Sequence, residues 1–381
     1  MSPDPLRSPG SPDIDGFLFV GDSICNSDMF YLSRFLAGDR FAILLQERTA
    51  ILVSSMEKGR AKKESCADEV VSTQDYHITE RLKSSGKLEL AYAEVLKDFL
   101  RDHDIMRLGV AYSFPAGIFQ HLSPHFDLQI LESPARRARA KKSPREIEMI
   151  TSAQRACERA MRRAADLIAS SEPQADILIR QGQPLTAEQV RSIIDISLLE
   201  DGCEAADSIV AGGVQAVDPH ARGTGPLPAN SPIVIDIFPR SKSHRYHADM
   251  TRTLLRGEAP REVRELYDAV LAAQEAGIRA IRAGVSGEEV HLAVSAVFLD
   301  MGYPERDGCG FTHSTGHGVG LDVHEPPSLG EGGEILEASQ VVTVEPGLYY
   351  PDIGGVRLED LVVVRGAGCD NLTRFEKDLV L

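Results

Sequence analysis

Asp236 lies inside the apolar run Ile233-Val234-Ile235-Asp236-Ile237-Phe238, where a carboxylate is costly to bury unless a cation or strong donors meet it. The stretch SPIVIDIFPRSKSHRYHADMTRTLL reads as strand, polar loop, strand. Asp249, thirteen residues after Asp236, is therefore expected on the returning arm of a hairpin, face to face with Asp236. VVTVEPGLYYPDIGGVRLEDLVVV repeats that plan, with Glu345 and Glu359 fourteen residues apart. Any one acid in a strand is more often an edge residue or a salt-bridge partner than a ligand. Four acids in two matched pairs can enclose a pair of cations, and the two hairpins hint at an internal duplication of architecture.

Between the hairpins runs Thr312-His313-Ser314-Thr315-Gly316-His317-Gly318-Val319-Gly320-Leu321-Asp322-Val323-His324-Glu325-Pro326. Three of the eleven histidines of the chain fall within twelve residues of this segment. The small residues around His317 let backbone and ligand approach closely, which favours a metal or substrate role over that of an ordinary surface histidine. As a phosphate cradle the glycine pattern is poor. It lacks the Lys-Ser/Thr ending of a P-loop and the strand, fingerprint and helix order of a dinucleotide site.

A chain of 381 residues is expected to form two or three domains of ~100 to 200 residues each. Residues 1–13, rich in Pro, Ser and Asp, read as a flexible tail. Over residues 14–135, β-prone runs such as FLFV, FAILL and RLGVA alternate with helical patterns such as KLELAYAEVLKDFLRDH, which indicates an α/β domain. Residues 136–142 lose apolar periodicity and read as a linker. Ser143-Pro144-Arg145-Glu146 then supplies an N-cap, a first-turn proline and a capping-box acid, so a second domain over 143–381 should open with a helix at Pro144. Thr186 with Gln189 and Ser286 with Glu289 mark two further helix starts.

The formal charge of −16 repels phosphate backbones and anionic lipid, so nucleic acid and membrane surfaces are poor partners. The basic run from Arg136 to Lys142 sits where a polar linker belongs. Six cysteines are scattered with no Cys-x-x-Cys pair, which suggests neither a disulfide framework nor a thiolate zinc site and fits a reducing cytoplasmic location. No signal-peptide pattern opens the chain, and no run approaches the ~20 apolar residues of a membrane span.

Asp236, Asp249 in ADMTRT, His317 in GHGVGLDVHE, Glu345 in EPGLY and Glu359 in GGVRLED resemble the five ligands of the pita-bread metallopeptidases. That family includes methionine aminopeptidases, Xaa-Pro aminopeptidases and prolidases. Single pieces such as EPG carry little weight, but five ligand motifs in order are specific. The resemblance implies an α+β pita-bread catalytic domain of the creatinase/aminopeptidase type over residues 143–381. The preceding α/β domain resembles, more weakly, the N-terminal domain of the creatinase/prolidase branch. One departure stands out: the family usually has a small residue two positions after the first Asp, and this chain has Phe238 followed by Pro239.

The resemblance also implies roles. Asp236 would chelate one divalent metal, His317 and Glu345 the other, and Asp249 and Glu359 would bridge the two. Manganese or cobalt is expected, and zinc is compatible with the same ligands. Glu345 would move the proton of the attacking water, His220 and His324 would support the carbonyl oxygen, and His313 would line the site. Arg357 is expected either at substrate or against a neighbouring acid. The implied activity is hydrolysis of the bond between an N-terminal residue and proline in short peptides, leaning to Xaa-Pro dipeptides. Action on longer Xaa-Pro peptides is the alternative, and a binding module without catalysis is the reading from another class. A homodimer is expected from the proline-specific relatives.

Overall fold

The computed structural model describes residues 13–381 except Ala206 and Asp307. Apart from Asp13, the N-terminal tail expected over 1–13 lies outside the described residues. The chain divides into two compact units, one ending at Arg139 and one running from Ala140 to Leu381.

The first unit is built on six strands: β1 (Gly16–Gly21), β2 (Phe41–Leu45), β3 (Thr49–Val53), β4 (Glu69–Ser72), β5 (Arg107–Ala111) and β6 (Asp127–Leu131). Their order is β4-β3-β2-β1-β5-β6, with β1 antiparallel to β2 and parallel to β5. The apolar runs are continuous because both faces are covered. Leu18 and Val20 of β1 enter one core with Val95, Leu96 and Phe99 of helix α1 (Leu88–Asp102), while Phe17 and Phe19 enter a second core on the other face.

Part of the segment expected as a linker is helical, from Pro134 to Ala140. Of the five basic residues from Arg136 to Lys142, three are held in ion pairs, Arg139 with Asp28, Lys141 with Glu337 and Lys142 with Glu325, while Arg136 and Arg137 are exposed. The basic run is thus partly consumed in intramolecular contacts.

In the second unit, helix α2 (Pro144–Ala169) opens at the expected residue, with Ser143 and Glu146 forming a reciprocal capping box. Helices α3 (Ala187–Glu200) and α5 (Gly287–Asp300) start at the other two expected boxes. A further helix, α4 (Arg261–Ala280), follows Pro260 with no side-chain cap.

The strands of this unit used below are β7 (Ile209–Gly212), β8 (Ile233–Ile237), β9 (Met250–Leu254), β10 (His317–Gly318), β11 (Glu325–Ser328), β12 (Val341–Val344), β13 (Gly347–Tyr350), β14 (Gly354–Arg357), β15 (Asp360–Arg365) and β16 (Gly368–Asn371). They form a three-stranded sheet, β7-β8-β9, a five-stranded sheet, β11-β10-β12-β15-β16, and the two-stranded ladder β13-β14. Cys157 and Ala160 of α2 and Ile194 and Leu198 of α3 pack on Ile233, Ile235 and Ile237 of β8. Val290 of α5 packs on Val342 and Val344 of β12 and Val362 and Val364 of β15. Each acid-bearing hairpin is thus backed by helices that leave its acidic side turned away from the core. Among the described residues, no helix is long and apolar enough to cross a membrane.

Candidate metal centre

The two hairpins present their acids differently. In the first, Asp236 pairs with Thr251 in the β8–β9 ladder, so Asp249 is a diagonal neighbour of Asp236 on the same face and not its direct partner. The face-to-face arrangement expected there is offset by two residues. In the second, Val344 pairs with Asp360 and Gly347 with Arg357. That register sets Glu345 opposite Glu359, in the break between two ladders.

The break frees the backbone of both glutamates for other elements. Glu345 N–H donates to Thr315 O at 2.8 Å, and Glu359 N–H donates to Thr251 O at 3.1 Å. The second bond ties one hairpin to the other. Thr251 Oγ1 donates to Glu359 Oε2 at 2.7 Å, and Thr253 Oγ1 bonds both N–H and C=O of Arg357 at 2.9 Å. Two threonines of the first hairpin therefore hold the acidic arm of the second in place.

His317 stands beside these acids. Its Nε2 lies 3.1 Å from Glu345 Oε1 and 3.8 Å from Asp249 Oδ2, while Nδ1 sits 3.1 Å from Gly318 O. Thr343 Oγ1 accepts from His317 N–H at 3.0 Å and donates to Glu345 Oε1 at 3.1 Å. The close approach requires glycine at 316, where a Cβ would lie 2.2 Å from Thr343 O. Ligand atoms of Asp249, His317 and Glu359 all lie within 4.8 Å of one another.

These residues face a cleft of about 630 Å³ whose lining also includes His220, His313, His324, Phe238, Arg222 and Arg357. The site residues read from the sequence therefore meet in one cleft. His220 and His324 are exposed, and the His324 ring stands 4.1 Å from the His317 ring. Arg357 is buried, and its donors are committed within the protein: Nη2 to Asp236 Oδ2 at 2.8 Å, Nη1 to Tyr349 Oη at 3.0 Å, and Nε to Thr251 Oγ1 at 3.2 Å. Of the two placements expected for Arg357, the structure has it against the neighbouring acid. Tyr349, absent from the sequence reading, also lies 2.9 Å from His313 Nε2. Nothing in GLYY distinguishes it from a core tyrosine.

The electrostatics of the cleft favour a positive charge among the acids. Burial, then repulsion from Glu359, Asp236 and Glu345, pushes the Asp249 carboxyl well above the usual range. Burial followed by Glu345 and Asp236 does the same to Glu359. Burial also raises Asp236, against the pull of Arg357. Glu345 goes the other way: burial would raise it, but the bond to His317 and the charges around it bring it down to about 2. Two carboxylate oxygens, Asp236 Oδ1 and Glu359 Oε1, are buried with no hydrogen-bond partner. Buried carboxyl oxygens in that state call for a partner, and four carboxylates with one imidazole suit a hard or borderline divalent cation.

Residues 148–366 match the metallopeptidase family M24, and residues 11–140 match the creatinase/prolidase N-terminal domain. An Xaa-Pro dipeptidase of Pyrococcus horikoshii is 29% identical over 283 residues, covering 72% of this chain and 75% of its own. The crystal structure of the prolidase from Pyrococcus horikoshii superposes with a TM-score of 0.79 at 26% identity, covering 96% of this chain and 95% of that one. The crystal structure of an X-Pro aminopeptidase from Thermotoga maritima gives 0.78 at 27% identity, with 97% and 98% covered. The second unit has the pita-bread fold that the ligand motifs implied, and the chain belongs to metallopeptidase family M24.

Proposed function

We propose that this peptidase hydrolyses the bond between an N-terminal residue and proline, with Xaa-Pro dipeptides as preferred substrates. The observation that carries the proposal is the meeting of both acid-bearing hairpins and His317 in one cleft, with Asp236 Oδ1 and Glu359 Oε1 buried and unpartnered. Asp236, Asp249, His317, Glu345 and Glu359 would hold two divalent cations, manganese or cobalt by preference. When bound, these supply Lewis acidity and a water of lowered pKa.

The other steps belong to side chains. Glu345, kept ionised by His317, takes the proton of the attacking water and passes it to the departing nitrogen. His220 and His324 donate to the carbonyl oxygen as charge develops on it, and His313, held on Tyr349, lines the substrate side. Arg357 orients Asp236 and is a positioning residue. Proline gives the scissile nitrogen no N–H to grip, and this constellation does not use one.

The six cysteines are free, which supports a reducing, cytoplasmic setting. A homodimer is part of the same proposal, and light scattering of the active enzyme tests it. The decisive assay compares Ala-Pro, Ala-Pro-Ala and Met-Ala at equal concentration with manganese added. Preference for Ala-Pro is expected. Preference for Ala-Pro-Ala would move the reading to an Xaa-Pro aminopeptidase, and preference for Met-Ala would overturn proline specificity.

A further inference from the structure

We infer that Lys142 is a positioning residue for His324, acting through a buried ion pair with Glu325. The inference rests on the reading above only for the catalytic role of His324. Lys142 Nζ lies 2.5 Å from Glu325 Oε1 and donates to Ala140 O at 3.1 Å, and both charged side chains are 1% exposed. Such a pair adds little net stability, because desolvation of the two ions offsets their attraction. What it supplies is a fixed position for the chain attached to each partner.

On one side that chain is already rigid. Lys142 N–H donates to Ser339 O at 2.9 Å, and the capped first turn of α2 begins two residues later. On the other side the attached residue is His324. Glu325 pairs with Gly318 in the β10–β11 ladder, so the intervening turn, which carries His324, folds back over the Glu325 carboxylate. Gly320 permits this fold, since a Cβ there would lie 2.3 Å from Glu325 Oε1. The carboxylate is therefore enclosed between the Lys142 ammonium and the turn. His324 is exposed to the cleft and its ring meets that of His317 on one side, so the backbone that carries it has a large share in placing it there.

The test is a double-mutant cycle between Lys142→Met and His324→Ala in metal-replete protein, with Ala-Pro as substrate. Lys142→Met is expected to lower kcat about tenfold with KM within about twofold and metal content unchanged. In the His324→Ala background the same substitution should have almost no further effect, and Lys142→Arg should restore most of the loss. Ring resonances of His324, which sense the His317 ring, should shift in Lys142→Met. If Lys142→Met does not fold, Lys142→Met/Glu325→Met replaces it, since removing both charges avoids a lone buried ion. Losses that multiply across the cycle, or unchanged His324 resonances, would overturn the inference. Should the wild type hydrolyse no Xaa-Pro peptide, the functional reading fails and the His324 resonances alone decide the role of Lys142.

Discussion

Arg357 donates to Asp236 across 2.8 Å, with side chains 4% and 13% exposed, and so joins the second acid-bearing hairpin to the first. The same guanidinium reaches Thr251 and Tyr349. It fixes which oxygen of Asp236 remains for a cation: Oδ2 is occupied and Oδ1 is unpartnered.

Replacing Arg357 by Gln should therefore have two effects. Metal-free protein loses about 3 kcal/mol, because a buried carboxylate is left without its partner. Metal affinity falls about tenfold or more, because the ligand loses the contact that orients it. Thermal unfolding in chelator and calorimetric titration with manganese measure the two separately. Unchanged affinity would mean that Asp236 is positioned by its strand alone.

Ligands and cleft histidines should separate by metal content. His317→Ala and Glu359→Gln are expected to lose metal and activity together. His324→Ala is expected to keep its metal and lose about 100-fold in kcat, the scale for one donor to a developing oxyanion. Elemental analysis of the three purified variants decides this, and equal metal loss in all three would remove His324 from the catalytic assignment.

In chelated protein, the raised carboxyls of Asp249 and Glu359 stay protonated where unfolded carboxylates, with pKa values of about 4, have ionised. The native state then binds more protons than the unfolded state, and this contribution to stability declines as pH rises above about 4. His247 has the opposite slope. Burial first, then Arg240, lowers it to about 4, so its contribution grows between that value and about 6.5. Glu359→Gln leaves His247 in place and removes one raised carboxyl. Its Tm in chelator should gain on that of the wild type as pH goes from 5 to 7, and a gap that stays constant would count against the raised carboxyl.

Local signals explain what could be read from the chain. The helix starts at Pro144, Ala187 and Gly287 were legible because each cap is a contact between residues three apart. Helix α4 carries no such mark, since Pro260 makes no side-chain cap. The four acids were legible because they form two matched pairs in strand–loop–strand stretches, and His317 because small residues surround it. The offset of Asp236 from Asp249 was not, because register depends on how the polar loop between β8 and β9 closes. Thr251, Tyr349 and the Lys142–Glu325 pair were invisible for a related reason. Thr251 meets Glu359 across 108 residues of chain and Lys142 meets Glu325 across 183, so their roles exist only once distant parts of the chain have met.

Phe238 is the residue through which the departure from the family pattern should act. It follows Asp236 by two, so alternation turns it to the same face, and it lines the cleft beside the acids. An aromatic ring there takes up room beside the acids, where the amino-terminal residue of a peptide would sit in the reading proposed above. Phe238→Ala should therefore raise kcat/KM for Leu-Pro relative to Ala-Pro, by about tenfold if the ring now excludes roughly one to two methylene groups. Metal content should not change, because Phe238 offers no ligand atom. The ratio of kcat/KM values for Leu-Pro and Ala-Pro, wild type against variant, is the measurement. A ratio that stays the same while both values fall would show that Phe238 supports the hairpin carrying Asp236 and leaves the choice of substrate to other walls of the cleft.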